Sequence, residues 1–230
     1  MQCRRRYIIL MITCLISCSA AIIAPGGQAH GASGLDAQVS GFLNSSKSSW
    51  SYWNVPYQDG KILFDLVLKG SFKNILEIGT STGHSTIWLA WAASKIGGMV
   101  TTVEIDRGRH EIARKNFKKA GVESYIDARL ADAHDLAPVL KGPFDFVFCD
   151  ADKDWYLQYF KDLRPKIRLN GCFTAHNVLW SNDGDIKKFL DYVKGDPQFR
   201  TTIERGSGEG ISVSCRVAES VYRHGPERCR

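Results

Sequence analysis

Residues 77–86 read EIGTSTGHST. A short apolar run, NILEIG at 74–79, leads into this stretch, and a helical pattern, HSTIWLAWAASKI at 84–96, leads out of it. The reading is strand, tight turn, helix. Gly79 and Gly83 flank the turn, and small residues there let backbone N–H groups approach a ligand closely. The dinucleotide fingerprint G-x-G-x-x-G fails, because position 81 is Ser. Glu77 precedes the turn. A carboxylate at that place repels a pyrophosphate and suits a cationic ligand that carries an amino group. The competing reading is a strand–turn–helix junction with no ligand.

Outward from this turn the chain alternates. Before it, ILFDLVLKG suggests a helix ending at Gly70. After it come a strand (MVTTVEI), an amphipathic helix closed by Gly121 (RGRHEIARKNFKKAG), a strand (YIDARLA) and a strong strand (FDFVFCD). A helix (DWYLQYFKDLRPKI), a strand (GCFTA) and a helix (DIKKFLDYVKG) follow. FRTTIE and GISVSCRVA close the pattern with no helix between them. Such alternation predicts an α/β, doubly wound, mostly parallel seven-stranded sheet with an antiparallel C-terminal hairpin. Ligands of these sheets sit beyond the carboxyl ends of the strands, so residues just after each strand matter most.

Glu104 ends the second strand, 25 residues beyond Gly79. An acidic residue there commonly accepts ribose hydroxyls. After the third strand, Asp132 and Ala133 in ADAHD are candidates for the lining of an adenine pocket. The fourth strand ends in FCDADKDWY, where Asp150, Asp152 and Asp154 surround Lys153. A carboxylate cluster at the sheet mouth suits a hard cation, and a solvated loop looks the same in sequence. The fifth strand ends in His176-Asn177, which the expected strand order brings beside Asp150.

These segments, taken in order, resemble the cation-dependent, S-adenosylmethionine-dependent O-methyltransferases, the group of catechol and caffeoyl-CoA O-methyltransferases. The likeness runs from about Trp53 to Val217. WNVPYQDGKIL looks like the family's segment at the cofactor's methyl end, LEIGTSTGHST like its cofactor loop, TTVEID like its ribose strand and FDFVFCDADKDWY like its metal-and-base segment. The resemblance implies a Rossmann-like methyltransferase fold. It implies that Glu77, Gly79, Gly83 and Ser85 hold the methionine part of the cofactor, that Glu104 holds the ribose, and that Asp132 and Ala133 flank adenine. Trp53 and Val55 then border the methyl group. Lys153 is the implied general base, and Asp150, His176 and Asn177 the implied metal ligands, with Asp150 also near the cofactor. The implied partner is a small hydroxylated, catechol-like acceptor, and a homodimer is the family's habit. Glu209, in GSGEG before the last strand, is either an acceptor contact or part of a plain hairpin turn.

One position departs from the family. Its pattern has Asp-Asn where this chain has His176-Asn177. Mg²⁺ prefers oxygen ligands, whereas an imidazole favours softer ions such as Mn²⁺, Fe²⁺, Co²⁺ or Zn²⁺. Three readings stay open: a different ion, a weakly held Mg²⁺, or no metal, with His176 as a base or a turn cap. Among the other histidines, His84 falls in the cofactor loop, while His110 and His134 read as solvated.

The N-terminus carries a separate message. MQCRRRY followed by IILMITCLISCSAAIIA has the anatomy of an export signal. LISC resembles a lipobox that makes Cys18 a lipidation site; cleavage near QAHGA competes, and a retained membrane anchor facing the cytoplasm is the alternative. The expected division is a leader at 1–30, a Gly/Ser-rich linker with one weak helix at 31–50, a methyltransferase domain at 51–220 and a tail at 221–230. The formal charge of +6 draws three units from Arg4, Arg5 and Arg6, and no basic stripe with interleaved aromatics follows, so no nucleic-acid partner is expected. Four of the seven cysteines lie beyond the leader. Cys149, Cys172 and Cys215 read as core thiols in buried strands, and no zinc spacing is present. An exported chain can oxidise a pair, but the spacing identifies none.

Overall fold

The computed structural model describes residues 30–47, 50, 53–179 and 184–218. The leader and tail expectations lie outside the described residues, as does Trp180. Described in order are α1 (His30–Ser45), α2 (Tyr57–Gly70), β1 (Asn74–Ile78), α3 (His84–Ile96), β2 (Met99–Glu104), α4 (Arg107–Ala120) and β3 (Ile126–Leu130). There follow α5 (Ala133–Val139), β4 (Phe144–Cys149), α6 (Tyr156–Leu163), β5 (Ile167–His176), α7 (Gly184–Gly195), β6 (Phe199–Glu204) and β7 (Ile211–Arg216).

The seven strands form one sheet in the order β3-β2-β1-β4-β5-β7-β6. The first five are mutually parallel, and β7 runs antiparallel to both of its neighbours. The chain moves outward from β1 in one direction and then returns to lay β4 on the other side. The crevice between β1 and β4 is therefore the switch point at which such sheets bind ligands.

Both faces of the sheet are buried, and the strand sequences show why. Ile75, Phe146 and Phe148 point into a core shared with α1 to α4, while Leu76, Val147 and Phe173 point into a second core under α5 to α7. Alternate residues serve opposite faces, so a strand covered on both sides reads as a continuous apolar run.

Three local departures from the sequence reading have physical causes. The weak helix expected in the linker is α1, but it is part of the core rather than a spacer: Val39 and Leu43 on it are fully buried. Glycine and serine spaced between apolar residues at helical intervals concealed that stripe. The expected helix through Ile167 stops at Leu163 and continues as a 3-10 turn over Arg164–Lys166, because Pro165 supplies no N–H. β5 starts four residues earlier than Gly171. Asn170 takes a left-handed conformation (φ 63°), and the pairing with β4 slips between Phe144 and Phe146, so Leu169-Asn170-Gly171 looks like a turn but is an irregularity within a strand.

The cysteine expectation is corrected as well. Cys172 and Cys215 are not free thiols but a disulfide. They face each other across the antiparallel β5–β7 pair, a register that a sequence separation of 43 does not reveal. Closing a loop of that size restricts the unfolded chain, an effect of about 2–4 kcal/mol. Changing both residues to serine should lower the melting temperature by roughly 5–15 °C. Equal melting of the oxidised and reduced wild-type protein in calorimetry would contradict this.

Candidate active site

The loop after β1 is held from several sides. Gly79 N–H and Thr80 N–H both donate to Val103 O, at 3.0 and 3.2 Å, and Asp150 N–H donates to Ile78 O at 2.8 Å. Gly79 has φ +94°, and a Cβ on it would stand 2.3 Å from Asp150 O. The glycine is required by the close passage of the β4 end over the β1 end. At Gly83 (φ +95°) a Cβ would meet the Phe117 ring at 2.4 Å, so this glycine lets α3 pack against α4.

A cavity of about 510 Å³ opens at this edge. Trp53, Gly79, Ser81, Glu104, Asp132 and Ala133 line it, together with Arg109, His134, Trp155 and Tyr159. Glu104 projects from the end of β2. Its Oε2 accepts from Ser81 N–H (2.7 Å), and its Oε1 from Asp106 N–H (2.9 Å) and the Arg109 guanidinium (3.0 and 3.1 Å). The carboxylate is thus fixed in place and only 4% exposed. Glu104→Gln keeps the shape and removes the charge. It should weaken cofactor binding by about 10- to 100-fold, the worth of a hydrogen bond to a charged acceptor. Titration calorimetry with S-adenosylhomocysteine would read the change, and an unaltered affinity would remove Glu104 from the site.

The structure places other expected cofactor residues differently. Glu77 is fully buried and is not a cavity residue: Ser85 (2.6 Å), Thr86 and Thr102 (2.5 Å) donate their hydroxyls to its carboxylate. Burial pushes its pKa up to about 7 against the pull of those hydroxyls. In this structure the carboxylate supports the loop from beneath, with Ser85 as one of its clamps. Val55 is also buried, and its carbonyl accepts from His84 Nδ1 at 2.8 Å. Trp88 Nε1–H donates to His84 Nε2 at 3.2 Å, so His84 is a neutral packing residue whose pKa burial lowers to about 4. Trp53, by contrast, stands 80% exposed at the rim.

Of the two histidines expected to be solvated, one is buried and the other is part-exposed with acidic partners. His110 is buried on α4. His134 lies within 2.8 Å of Asp132 and 2.9 Å of Asp152, stacks on Tyr159 and abuts Trp155. Its pKa is raised, chiefly by the hydrogen bond to Asp152. This cluster forms one wall of the cavity, and its members meet where the start of α5 comes beside the start of α6.

Beside the cavity lies a chain of buried polar contacts. Lys153 Nζ donates to Asp150 Oδ1 (2.9 Å), Ala151 O (3.0 Å) and Tyr156 Oη (2.8 Å). The other oxygen of Asp150 faces His176 Nδ1 at 3.3 Å. His176 Nε2 lies 2.7 Å from Asp59 Oδ2, and Ser207 Oγ donates to that same oxygen. Asn177, in the left-handed conformation that asparagine tolerates (φ 57°), donates Nδ2–H to Glu209 Oε2 at 2.8 Å. Burial opposes a charge on His176, but Asp150 and Asp59 outweigh it and raise its pKa to about 9. Burial likewise opposes ionisation of Asp150, and His176 and Lys153 overcome this to hold it at about 2.

Of the expected metal trio, Asp150 and His176 meet in an ion-pair network, while Asn177 donates to Glu209. Mg²⁺ demands a near-octahedral set of oxygens. Here Asp150 is shared between Lys153 and His176, and the imidazole has a carboxylate against each nitrogen. Among the described residues no three His, Cys, Asp or Glu side chains converge as a metal centre. The donor set does not fit the family's ion. Asp59 and Ser207 were missed in the sequence. The signal for Asp59 was its place four residues before Leu63 and eight before Val67, on the buried stripe of α2.

A doubly wound sheet with an acidic residue ending β2 and a Lys-Asp pair ending β4 defines a Rossmann-like methyltransferase. The chain belongs to the O-methyltransferase family, whose model matches residues 42–192. It is 39% identical over 137 residues to a catechol O-methyltransferase of Niastella koreensis, a match covering 58% of this chain and 61% of that relative. It is 31% identical to a caffeoyl-CoA O-methyltransferase of Eucalyptus gunnii, over 77% of this chain and 79% of the relative. Among solved structures it is similar to the O-methyltransferase from Bacillus cereus in complex with S-adenosylhomocysteine (28% identity, TM-score 0.65, 85% of this chain and 93% of that one). Another is TomG from Streptomyces achromogenes in complex with S-adenosylmethionine (25% identity, TM-score 0.66, 79% and 90%).

Proposed function

We propose that this chain transfers the methyl group of S-adenosylmethionine to a hydroxyl of a small aromatic, catechol-like acceptor. The observation that carries the reading is the adjacency of the cavity, with Glu104 fixed at its ribose position, to the Lys153–Asp150 pair at the end of the neighbouring strand. In this reading Asp132, Ala133 and the His134–Trp155–Tyr159 wall enclose the adenine, and Trp53 closes the methyl end. The Lys153 ammonium first releases a proton to solvent; the acceptor O–H bond then breaks, and its proton passes to the resulting amine. The oxygen then forms a bond to the methyl carbon. The carbon–sulfur bond breaks, with its electron pair remaining on a now neutral sulfur. Alignment of the oxygen, carbon and sulfur supplies a large part of the acceleration. The named activities of the Niastella and Eucalyptus relatives support the acceptor class.

The test pairs calorimetric titration of S-adenosylhomocysteine with mass-spectrometric detection of methylated products from a panel of catechols. Cofactor binding without turnover on any catechol would remove the acceptor class, and absence of binding would remove the whole reading.

The proposal extends to location. An exported protein reaches an oxidising compartment, and a disulfide-bonded Cys172–Cys215 pair supports that destination. Mass spectrometry of the protein from native cells would decide whether the leader is removed, and fractionation whether the product is extracytoplasmic.

A further inference from the structure

The amino-terminal edge of the parallel strands lies opposite the cavity, and it is basic. Lys69 in the last turn of α2, Lys118 and Lys119 in that of α4, Lys73 before β1 and Lys141 before β4 are all exposed. None of the five has an acidic partner among the described residues, unlike Lys61, Lys95, Lys187 and Lys188. The acids of this edge are largely paired: Asp36 with Lys95, Asp127 with Arg129, Asp145 with Arg168 and Asp196 with Arg164. Glu123 is left as an exposed carboxylate. Short contacts join the loops into one surface. Met99 N–H donates to Lys73 O at 2.7 Å, Asn74 Nδ2 to Pro143 O at 2.6 Å and Gln38 Nε2 to Lys119 O at 3.1 Å.

Two apolar side chains stand out among these lysines. Met99 at the start of β2 is 47% exposed, and Leu169 in the irregular turn of β5 is 51% exposed. Lysines at helix C-termini answer the helix dipole, which accounts for Lys69, Lys118 and Lys119. It does not account for Lys73 on the approach to β1, nor for the exposed apolar groups near it. Basic and apolar side chains mixed on one face suit an anionic lipid surface. The lysines meet headgroup charge, and the apolar groups enter the boundary between headgroups and acyl chains. The cavity edge has the opposite character, since Glu104, Asp132, Asp152 and Asp154 line the cavity. An anionic surface repels that edge and attracts the other.

The direction of α1 fits this orientation. Near its start Asp36 accepts from Trp91 Nε1 (2.7 Å) and pairs with Lys95, both toward the end of α3. Near its end Asn44 accepts from the Tyr57 hydroxyl (3.1 Å) at the start of α2. Because α3 starts on the glycine turn of the cavity, α1 runs from the basic edge toward the cavity edge. The 29 residues ahead of α1, which include the apolar run and Cys18, therefore join the domain on its basic side.

We propose that this basic edge is a membrane-facing surface that docks on anionic phospholipid headgroups beside the leader's point of attachment, so that the catalytic mouth opens away from the bilayer. The inference goes beyond the location reading of the preceding subsection and is independent of the acceptor. A single lipid chain holds a protein only marginally, whereas a tether combined with a basic patch attaches it stably.

The full-length protein would be mixed with vesicles of phosphatidylcholine alone or of phosphatidylcholine with phosphatidylglycerol. Its lysines would be acetylated with a water-soluble reagent and read by peptide mass spectrometry. On the anionic vesicles Lys69, Lys73, Lys118, Lys119 and Lys141 should react about fivefold more slowly or less, the worth of one lysine at such a surface. High salt should remove the difference. Lys47 and Lys61, exposed near the cavity edge, should react alike on both vesicles. Combining Lys73→Gln, Lys119→Gln and Lys141→Gln should abolish the protection of Lys69 and Lys118 while S-adenosylhomocysteine binding stays as in the wild type. Equal reactivity on the two vesicles would overturn the proposal and leave the leader as the sole attachment. Protection of Lys47 and Lys61 instead would turn the mouth toward the bilayer and overturn it too. So would protection that appears without vesicles as protein concentration rises, which marks a face between copies, or protection by an oligonucleotide where anionic vesicles give none. The separate titration with S-adenosylhomocysteine reads the methyltransferase assignment, so the failure of one reading is distinct from the failure of the other.

Discussion

Replacing Lys153 with alanine is expected to slow methyl transfer by about 10²- to 10⁴-fold, the usual contribution of a positioned acid–base group, while leaving cofactor affinity within about twofold. The ammonium is held by Asp150, Ala151 O and the Tyr156 hydroxyl. It borders the cavity rather than lining it, which is why cofactor affinity is expected to survive its removal. Lys153→Arg tests the role further. Arginine keeps a charge but does not give up its proton, so a base role predicts that it fails to rescue, whereas a purely electrostatic role predicts partial recovery. The check is the single-turnover rate with saturating cofactor, accompanied by a melting curve. An alanine variant that turns over at near wild-type rate would move the base elsewhere.

Gly79→Ala is expected to cost about 2–5 kcal/mol of stability. Two costs combine: a left-handed φ for a residue with a Cβ, and an overlap that the surroundings must relieve by moving. The overlap is with backbone, since the new Cβ would stand 2.3 Å from Asp150 O. Relief must separate the ends of β1 and β4, which displaces Asp150 from Lys153 and His176. The variant should therefore lose activity even where it remains folded. Chemical denaturation gives the first quantity, and activity measured well below the melting temperature the second. Gly97→Ala is the control: it also carries a positive φ but has open space at its Cβ, so only the conformational cost remains, and the active site is untouched.

The fold was legible because its strands are buried on both faces and its helices are amphipathic, so each segment announced its own type. The site was legible where a residue follows directly on a strand: Glu104, Asp132 and Asp150 all stand at the carboxyl edge, with Glu104 and Asp132 on the cavity wall. What escaped were the contacts that only tertiary register creates. Nothing near Cys172 announces Cys215, and nothing near His176 announces Asp59, 117 positions earlier. Glu77 is a different case. Its position suggested a ligand contact, and its oxygens also accept from Thr102 on β2 and from Ser85 and Thr86 on α3, partners that local pattern does not announce. A carboxylate at a strand end can serve the ligand or the scaffold, and local pattern does not separate the two.

The reach of α2 into the site bears on how this protein can be trimmed. A fragment beginning at β1 would retain all seven strands and the cavity's glycine turn, and by topology alone it would count as a complete sheet. It would lack Asp59, leaving His176 with one acidic neighbour in place of two. The helix that precedes the sheet thus supplies one of the two carboxylates beside this buried imidazole, and graft or chimera boundaries drawn at Asn74 would preserve the architecture while changing the chemistry it can support.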